Sequence, residues 1–176
     1  MKLLVVVDMQ NDFVDGVLGT PEAVAIVPNV KKKIEQYVAK GAPIIYTRDS
    51  HNSNYMNTQE GKHLPIPHCI AGTHGWEIAD GLYVEGSIVD NKHSFGSTNL
   101  VDYIASNYRG RFNEIEVVGL CTDICVISNV MILKAYFPEI PITVISSCCA
   151  GVTPESHQNA LRAMEMCQVN IVEEVF

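Results

Sequence analysis

The apolar residues of this chain fall into two kinds of run, and their alternation sets the fold. Leu3-Leu4-Val5-Val6-Val7 is continuous and largely β-branched. Such runs mark strands covered on both faces, as in a parallel sheet flanked by helices. Pro28 to Lys40 differs: Val30, Ile34 and Tyr37 or Val38 recur at helical spacing, Lys31 to Lys33 fall partly outward, and Gly41 stands where a helix ends. A proline fits the first turn of a helix but not its interior, so this helix is expected to start at Pro28. Pro43 to Thr47, Gly86 to Val89, Ile115 to Val118, Pro141 to Ser146 and Asn170 to Val172 read as strands two to six. Further helices are expected over Thr98 to Tyr108, over Val126 to Ala135, and from Thr153-Pro154-Glu155-Ser156 onward, with Ser97 or Thr98 and then Thr153 as N-caps. Trp76 to Val84 suits a short helix or turn. Asn52 to Gly75 has no period, and a polar stretch of that length in a compact fold usually carries function.

The alternation predicts an α/β fold. We expect one domain over residues 1–176, with a six-stranded, mostly parallel sheet and helices on both faces in a Rossmann-like three-layer arrangement. In such sheets ligands bind beyond the carboxyl ends of the strands. Asp8 follows strand one, Asp49 and His51 follow strand two, Lys92 follows strand three, and Cys121 and Cys125 follow strand four. Each has a plain structural alternative. Cys125 could be a small buried apolar residue, Lys92 a solvated surface charge, and Asp8 a turn cap. Their collection at one edge of the sheet is the signal.

Cys125 falls at the junction of strand four and the helix after it. Unpaired N–H groups and the positive end of the helix dipole favour an anion there, so its thiol is expected to have a depressed pKa. The same N–H groups could hold an oxyanion. A thiol nucleophile needs a base, and Asp8 could take its proton and pass it to a leaving amine, with Lys92 steadying both charges. Asp49-x-His51 places a carboxylate and an imidazole on one side of a strand end. With a third ligand from the polar stretch, His68 or its competitors His63 and His74, they could form an open site for Zn²⁺, Fe²⁺ or Mn²⁺. Metal-bound water is then a rival nucleophile.

The 176 residues are 47% hydrophobic and carry a formal charge of -8, which argues against a nucleic-acid or acidic-membrane partner, since either would want a basic face. Leu3 to Val7 is too short for a signal peptide and stops at Asp8, and no apolar run is long enough to span a bilayer. A cytoplasmic location with six reduced cysteines is the expectation.

Asp8-Met9-Gln10-Asn11-Asp12-Phe13, Asp49-Ser50-His51, Pro67-His68-Cys69, Lys92-His93-Ser94-Phe95, Gly119 to Val126 and Thr153 to His157 resemble, in order and over nearly the whole chain, the isochorismatase-like cysteine hydrolases. Within them the resemblance is to nicotinamidase-type amidases. It implies a triad of Asp8, Lys92 and Cys125 that releases ammonia from an amide through a thioester. It implies a cis peptide at Leu120–Cys121, with the N–H groups of Cys121 and Cys125 as oxyanion hole. Asp49, His51 and His68 match metal ligands, most often for zinc, where the ion binds the substrate's pyridine nitrogen rather than performing the hydrolysis. Phe13 matches an aromatic residue lining the pocket, and Leu120 is expected beside it. A homodimer or homotetramer is implied. Leu64-Pro65-Ile66-Pro67 stands where nicotinamidases usually carry an aromatic, so the substrate wall differs here. The expected substrate is nicotinamide or a similar small amide. The alternatives are a metal-independent amidase for ureido or carbamoyl compounds, or a non-catalytic small-molecule binding protein.

Overall fold

The computed structural model describes residues 1–108 and 110–176. Its strands are β1 (Lys2–Val7), β2 (Ile44–Asp49), β3 (Ile88–Lys92), β4 (Glu114–Leu120), β5 (Ile142–Ala150) and β6 (Asn170–Val172). They form a six-stranded sheet in the order β3-β2-β1-β4-β5-β6, and every pairing is parallel. Val5, Val6 and Val7 are fully buried, as their unbroken apolar run requires. The strand order reverses between β1 and β4, and a crevice opens where the two connections leave in opposite directions.

The helices are α1 (Asn11–Val14), α2 (Pro21–Ala39), α3 (Gln59–His63), α4 (Thr98–Tyr108), α5 (Ile127–Tyr136) and α6 (Pro154–Met166). On one face, α2 lays Ala23, Ile26, Val30, Ile34 and Tyr37 on Leu4, Val6 and Val118. On the other, α4, α5 and α6 cover Leu3, Val5, Val117 and Val144 with Leu100, Ile104, Val130, Leu133, Leu161 and Met164. Among the described residues, no helix is long and apolar enough to cross a membrane.

Several boundaries differ from the sequence expectation. The second helix starts at Pro21, because the Thr20 hydroxyl accepts from the Ala23 N–H and caps it there. Pro28 lies inside it on the exposed side, where water can bond the carbonyl that the missing N–H leaves unpaired. The third strand runs to Lys92, so this lysine ends the strand rather than following it. The fifth extends to Ala150, and its register against β4 shifts between Val117 and Gly119. The polar stretch is not structureless: single turns at Tyr55–Asn57 and His74–Trp76 flank α3, which Thr58 caps through the Gly61 N–H. Beyond Trp76 the chain is irregular, with an Ile78 bridge to Gln10.

Candidate active site

The site forms at the reversal point, over the ends of β1, β2, β3 and β4. Asp8 leaves β1 with φ at +46°, a conformation that L side chains rarely adopt. Its N–H still donates to the Thr47 carbonyl, which holds the turn against β2. The side chain is fully buried. Its Oδ1 accepts from the Thr47 hydroxyl at 2.6 Å, and its Oδ2 lies 2.6 Å from Lys92 Nζ. Lys92 comes from the neighbouring strand end and is equally enclosed. It donates to the Ser94 carbonyl at 3.1 Å, and its Nζ stands 3.5 Å from both Asp49 Oδ1 and Cys125 Sγ.

Cys125 is brought to this lysine by an unusual turn. Gly119 takes φ at +121°, and a Cβ there would collide with the Val7 carbonyl oxygen, so only glycine suits the position. Cys121 is extended, and Thr122–Val126 then wind as one π-type turn in which the Val126 N–H returns to the Cys121 carbonyl at 3.0 Å. Thus α5 begins at Ile127, one residue later than expected, and Cys125 sits in the turn preceding it. Asn129, fully buried, donates to the Cys125 and Phe95 carbonyls and accepts from the Ser97 N–H, which pins this turn to the segment after β3.

Two expectations about this turn need correcting. No cis peptide occurs among the described residues, so the Leu120–Cys121 bond is trans. The reversal is made instead by Gly119 and the π-type turn. The Cys125 thiol is also not acidified: burial pushes its pKa well up, Asp8 adds to this, and Lys92 opposes it. The positive terminus foreseen from sequence is outweighed by full burial beside a carboxylate. Burial likewise raises the pKa of Asp8 despite Lys92. Lys92 itself is lowered by burial, but Asp8, the thiol and Asp49 more than reverse this and hold it protonated. One buried cation therefore supports one negative charge on the Asp8–Cys125 pair.

Beside the triad, Asp49, His51, Glu60 and His68 bring one ligand atom each within 4.8 Å of one another. His51 Nε2 is 2.8 Å from Asp49 Oδ2 and 3.6 Å from Glu60 Oε1, while His68 Nε2 is 3.6 Å and 3.5 Å from the same two oxygens. His68 Nδ1 lies 2.8 Å from the Ile66 carbonyl, which can only accept, so Nδ1 carries a proton and Nε2 is the atom turned to the cluster. His51 Nε2 is buried, with Asp49 Oδ2 as its nearest oxygen in the cluster. Two imidazoles and two carboxylates, with both Nε2 atoms turned toward the carboxylate oxygens, fit a divalent transition-metal ion. Burial disfavours the Asp49 carboxylate, yet His51, His68 and Lys92 hold it well below the usual range. For His68, burial lowers the pKa, but Asp49 and Glu60 push it up to about 10. Of the competitors for the third ligand, His74 is exposed and outside the cluster, and His63 faces a neighbouring cavity.

Sequence reasoning missed Glu60, because it comes from the first turn of α3 and not from a strand end. The Thr58 cap within the polar stretch was its one local signal. It also missed Gln10, fully buried, which clamps Asp49 by donating to its carbonyl and accepting from its N–H.

Cys125, Asp49, Glu60 and His68 share a cavity of about 300 Å³ with Phe13, Leu18, Leu64, Phe95, Cys121, Ile124 and Val152. The Phe13 and His68 ring centroids are 5.4 Å apart. Leu120, expected at the pocket wall, is fully buried beneath α2 with Val118, because alternate residues of β4 face that side. Cys121 takes its place on the wall.

The isochorismatase domain family matches residues 2–174. A probable inactive nicotinamidase of Arabidopsis thaliana is 30% identical over 173 residues, covering 88% of this chain and 83% of that protein. The nicotinamidase/pyrazinamidase of Mycobacterium tuberculosis is 26% identical over 192 residues, covering 98% of each chain. The crystal structure of Pyrococcus horikoshii pyrazinamidase in complex with zinc superposes with a TM-score of 0.83 at 26% identity, covering 98% of this chain and 99% of that one.

Proposed function

The chain belongs to the isochorismatase family and is a hydrolase of amide C–N bonds, and from that premise we propose that it is a cysteine amidase converting nicotinamide to nicotinic acid. The observation that carries this is the convergence of Asp8, Lys92 and Cys125, buried at the mouth of one crevice. As the amide binds, the Cys125 thiol gives its proton to Asp8 and its sulfur attacks the carbonyl carbon. Burial makes Asp8 a stronger base than an ordinary carboxylate, and Lys92 balances whichever of the two carries the charge. The N–H groups of Cys121 and Cys125, both residues of the cavity wall, are the oxyanion donors in this reading, without the cis bend that the resemblance implied. The C–N bond breaks as Asp8 protonates the nitrogen, ammonia leaves, and a thioester remains. Asp8 then takes a proton from water, whose oxygen attacks the thioester carbon, and the proton returns to sulfur as the carboxylic acid departs.

Asp49, His51, Glu60 and His68 would hold a divalent ion, zinc foremost, and the ion when bound would take the substrate's ring nitrogen and orient the amide. Phe13 packs beside His68 and supplies a flat apolar wall. The charged groups lining the cavity are Asp49, Glu60 and His68, with no lysine or arginine among the described lining residues. This favours a neutral heteroaromatic amide over the anionic ureido and carbamoyl acids. Ammonia release from nicotinamide tests the reading, with Cys125→Ala as control. Turnover by the wild type alone supports it. Turnover by both removes the cysteine mechanism, and turnover by neither removes nicotinamide.

A further inference from the structure

The four clustered ligands lie between two cavities. The substrate cavity reaches Asp49, Glu60, His68 and Cys125. A second, of about 580 Å³, reaches His51 and Glu60 from the other side and touches none of Asp8, Lys92 and Cys125. Glu60, Leu64, Phe95 and Ile124 line both.

The second cavity is walled by two more histidines, His63 from α3 and His93 from the end of β3. His63 Nδ1 lies 2.9 Å from the Gln59 carbonyl, and His93 Nδ1 lies 2.9 Å from the Ser50 carbonyl. A carbonyl accepts only, so in each neutral ring Nδ1 carries the proton and Nε2 keeps its lone pair. Both rings are thus held in the tautomer that ligates a cation through Nε2, as His68 is within the cluster. The substrate cavity offers no comparable histidine outside the cluster, and its outer wall (Leu18, Leu64, Phe95, Ile124, Val152) is apolar.

We propose that the second cavity is the port through which a divalent transition-metal cation reaches and leaves the cluster, with His63 and His93 as its capture residues, while the substrate uses the other mouth. The inference rests on reading Asp49, His51, Glu60 and His68 as the metal ligands. A capture residue lowers the barrier without touching the end state, so its loss slows association and dissociation equally and leaves the equilibrium unchanged.

The test follows Co²⁺ uptake by chelator-stripped protein, and its loss to excess chelator, by the visible absorption of the bound ion. His63→Ala combined with His93→Ala should slow both rates about tenfold at unchanged Kd. Gln59→Trp, which fills only the second cavity, should slow uptake, whereas Val152→Trp, which fills only the substrate cavity, should not. Unaltered rates in the histidine variant, a weakened Kd, or equal slowing by the two tryptophans would overturn the port and leave the cluster's role standing. A wild type that binds no Co²⁺ would overturn both.

Discussion

Replacing Lys92 with methionine tests the central electrostatic argument, since methionine keeps much of the length and none of the charge. The Lys92 ammonium lies 2.6 Å from Asp8 Oδ2 and 3.5 Å from Asp49 Oδ1. With an effective dielectric constant of about 20, those separations correspond to attractions of about 6 and about 5 kcal/mol. The cost of desolvating the ammonium, several kcal/mol, opposes them. The net expectation is the usual cost of removing one partner from a buried pair, about 3–5 kcal/mol. For a chain of this size, that is a fall in Tm of roughly 6–20 °C. The sign with pH is also determined. Burial already raises Asp8, and without Lys92 its folded pKa rises further above the unfolded value of about 3.9. The folded variant then binds a proton that the unfolded chain has lost, so its stability falls with pH, and its deficit against the wild type grows from the wild-type Asp8 pKa, itself raised, up to the higher pKa of the variant. A protonated Asp8 cannot accept the thiol proton, and kcat/KM should fall by about 10²–10⁴. Denaturant unfolding at pH 4 and pH 8, alongside ammonia release, reads both effects. A deficit independent of pH, or activity within tenfold of wild type, would refute the reasoning.

Because burial holds the Cys125 thiol protonated, its alkylation by iodoacetamide without substrate should accelerate about tenfold per pH unit from pH 6 to 9. A plateau near neutrality would instead mean an acidified thiol. His68, pushed up to about 10 by Asp49 and Glu60 in the absence of an ion, must lose its proton to ligate. Metal affinity measured by chelator competition should therefore rise about tenfold per pH unit between pH 6.5 and 9, and a flat profile would rule out this competition. Glu60→Gln should weaken the same affinity at least ~10-fold, and unchanged affinity would place Glu60 outside the ligand set. Gly119→Ala should cost at least ~2 kcal/mol in denaturant unfolding, because its Cβ meets the Val7 carbonyl; a neutral substitution would show that this strand crossing is loose.

The sequence by itself determined the layers of this protein and one edge of its chemistry. Leu3 to Val7 can be buried on both faces in little else than a parallel sheet, and the residues following such strands must gather at one end. Asp8, Asp49, His51 and Lys92 were legible for that reason, and Cys125 because it follows strand four within one turn, although the form of that turn was not. Helix boundaries were less so, since a capping threonine at position 20 outweighed the proline at position 28. What only the tertiary structure decided lies between elements. Glu60 and His68 join Asp49 and His51 because a capped turn inside an aperiodic stretch folds back over β2, and no local pattern encodes that return. Leu120 is enclosed in the core at the last position of β4, and Cys121, just beyond the strand, packs on the same cluster and lines the pocket. The protonated thiol is likewise a tertiary property. A helix terminus acts through its own turn, whereas desolvation and the field of Asp8 come from groups distant in sequence, and at full burial those dominate.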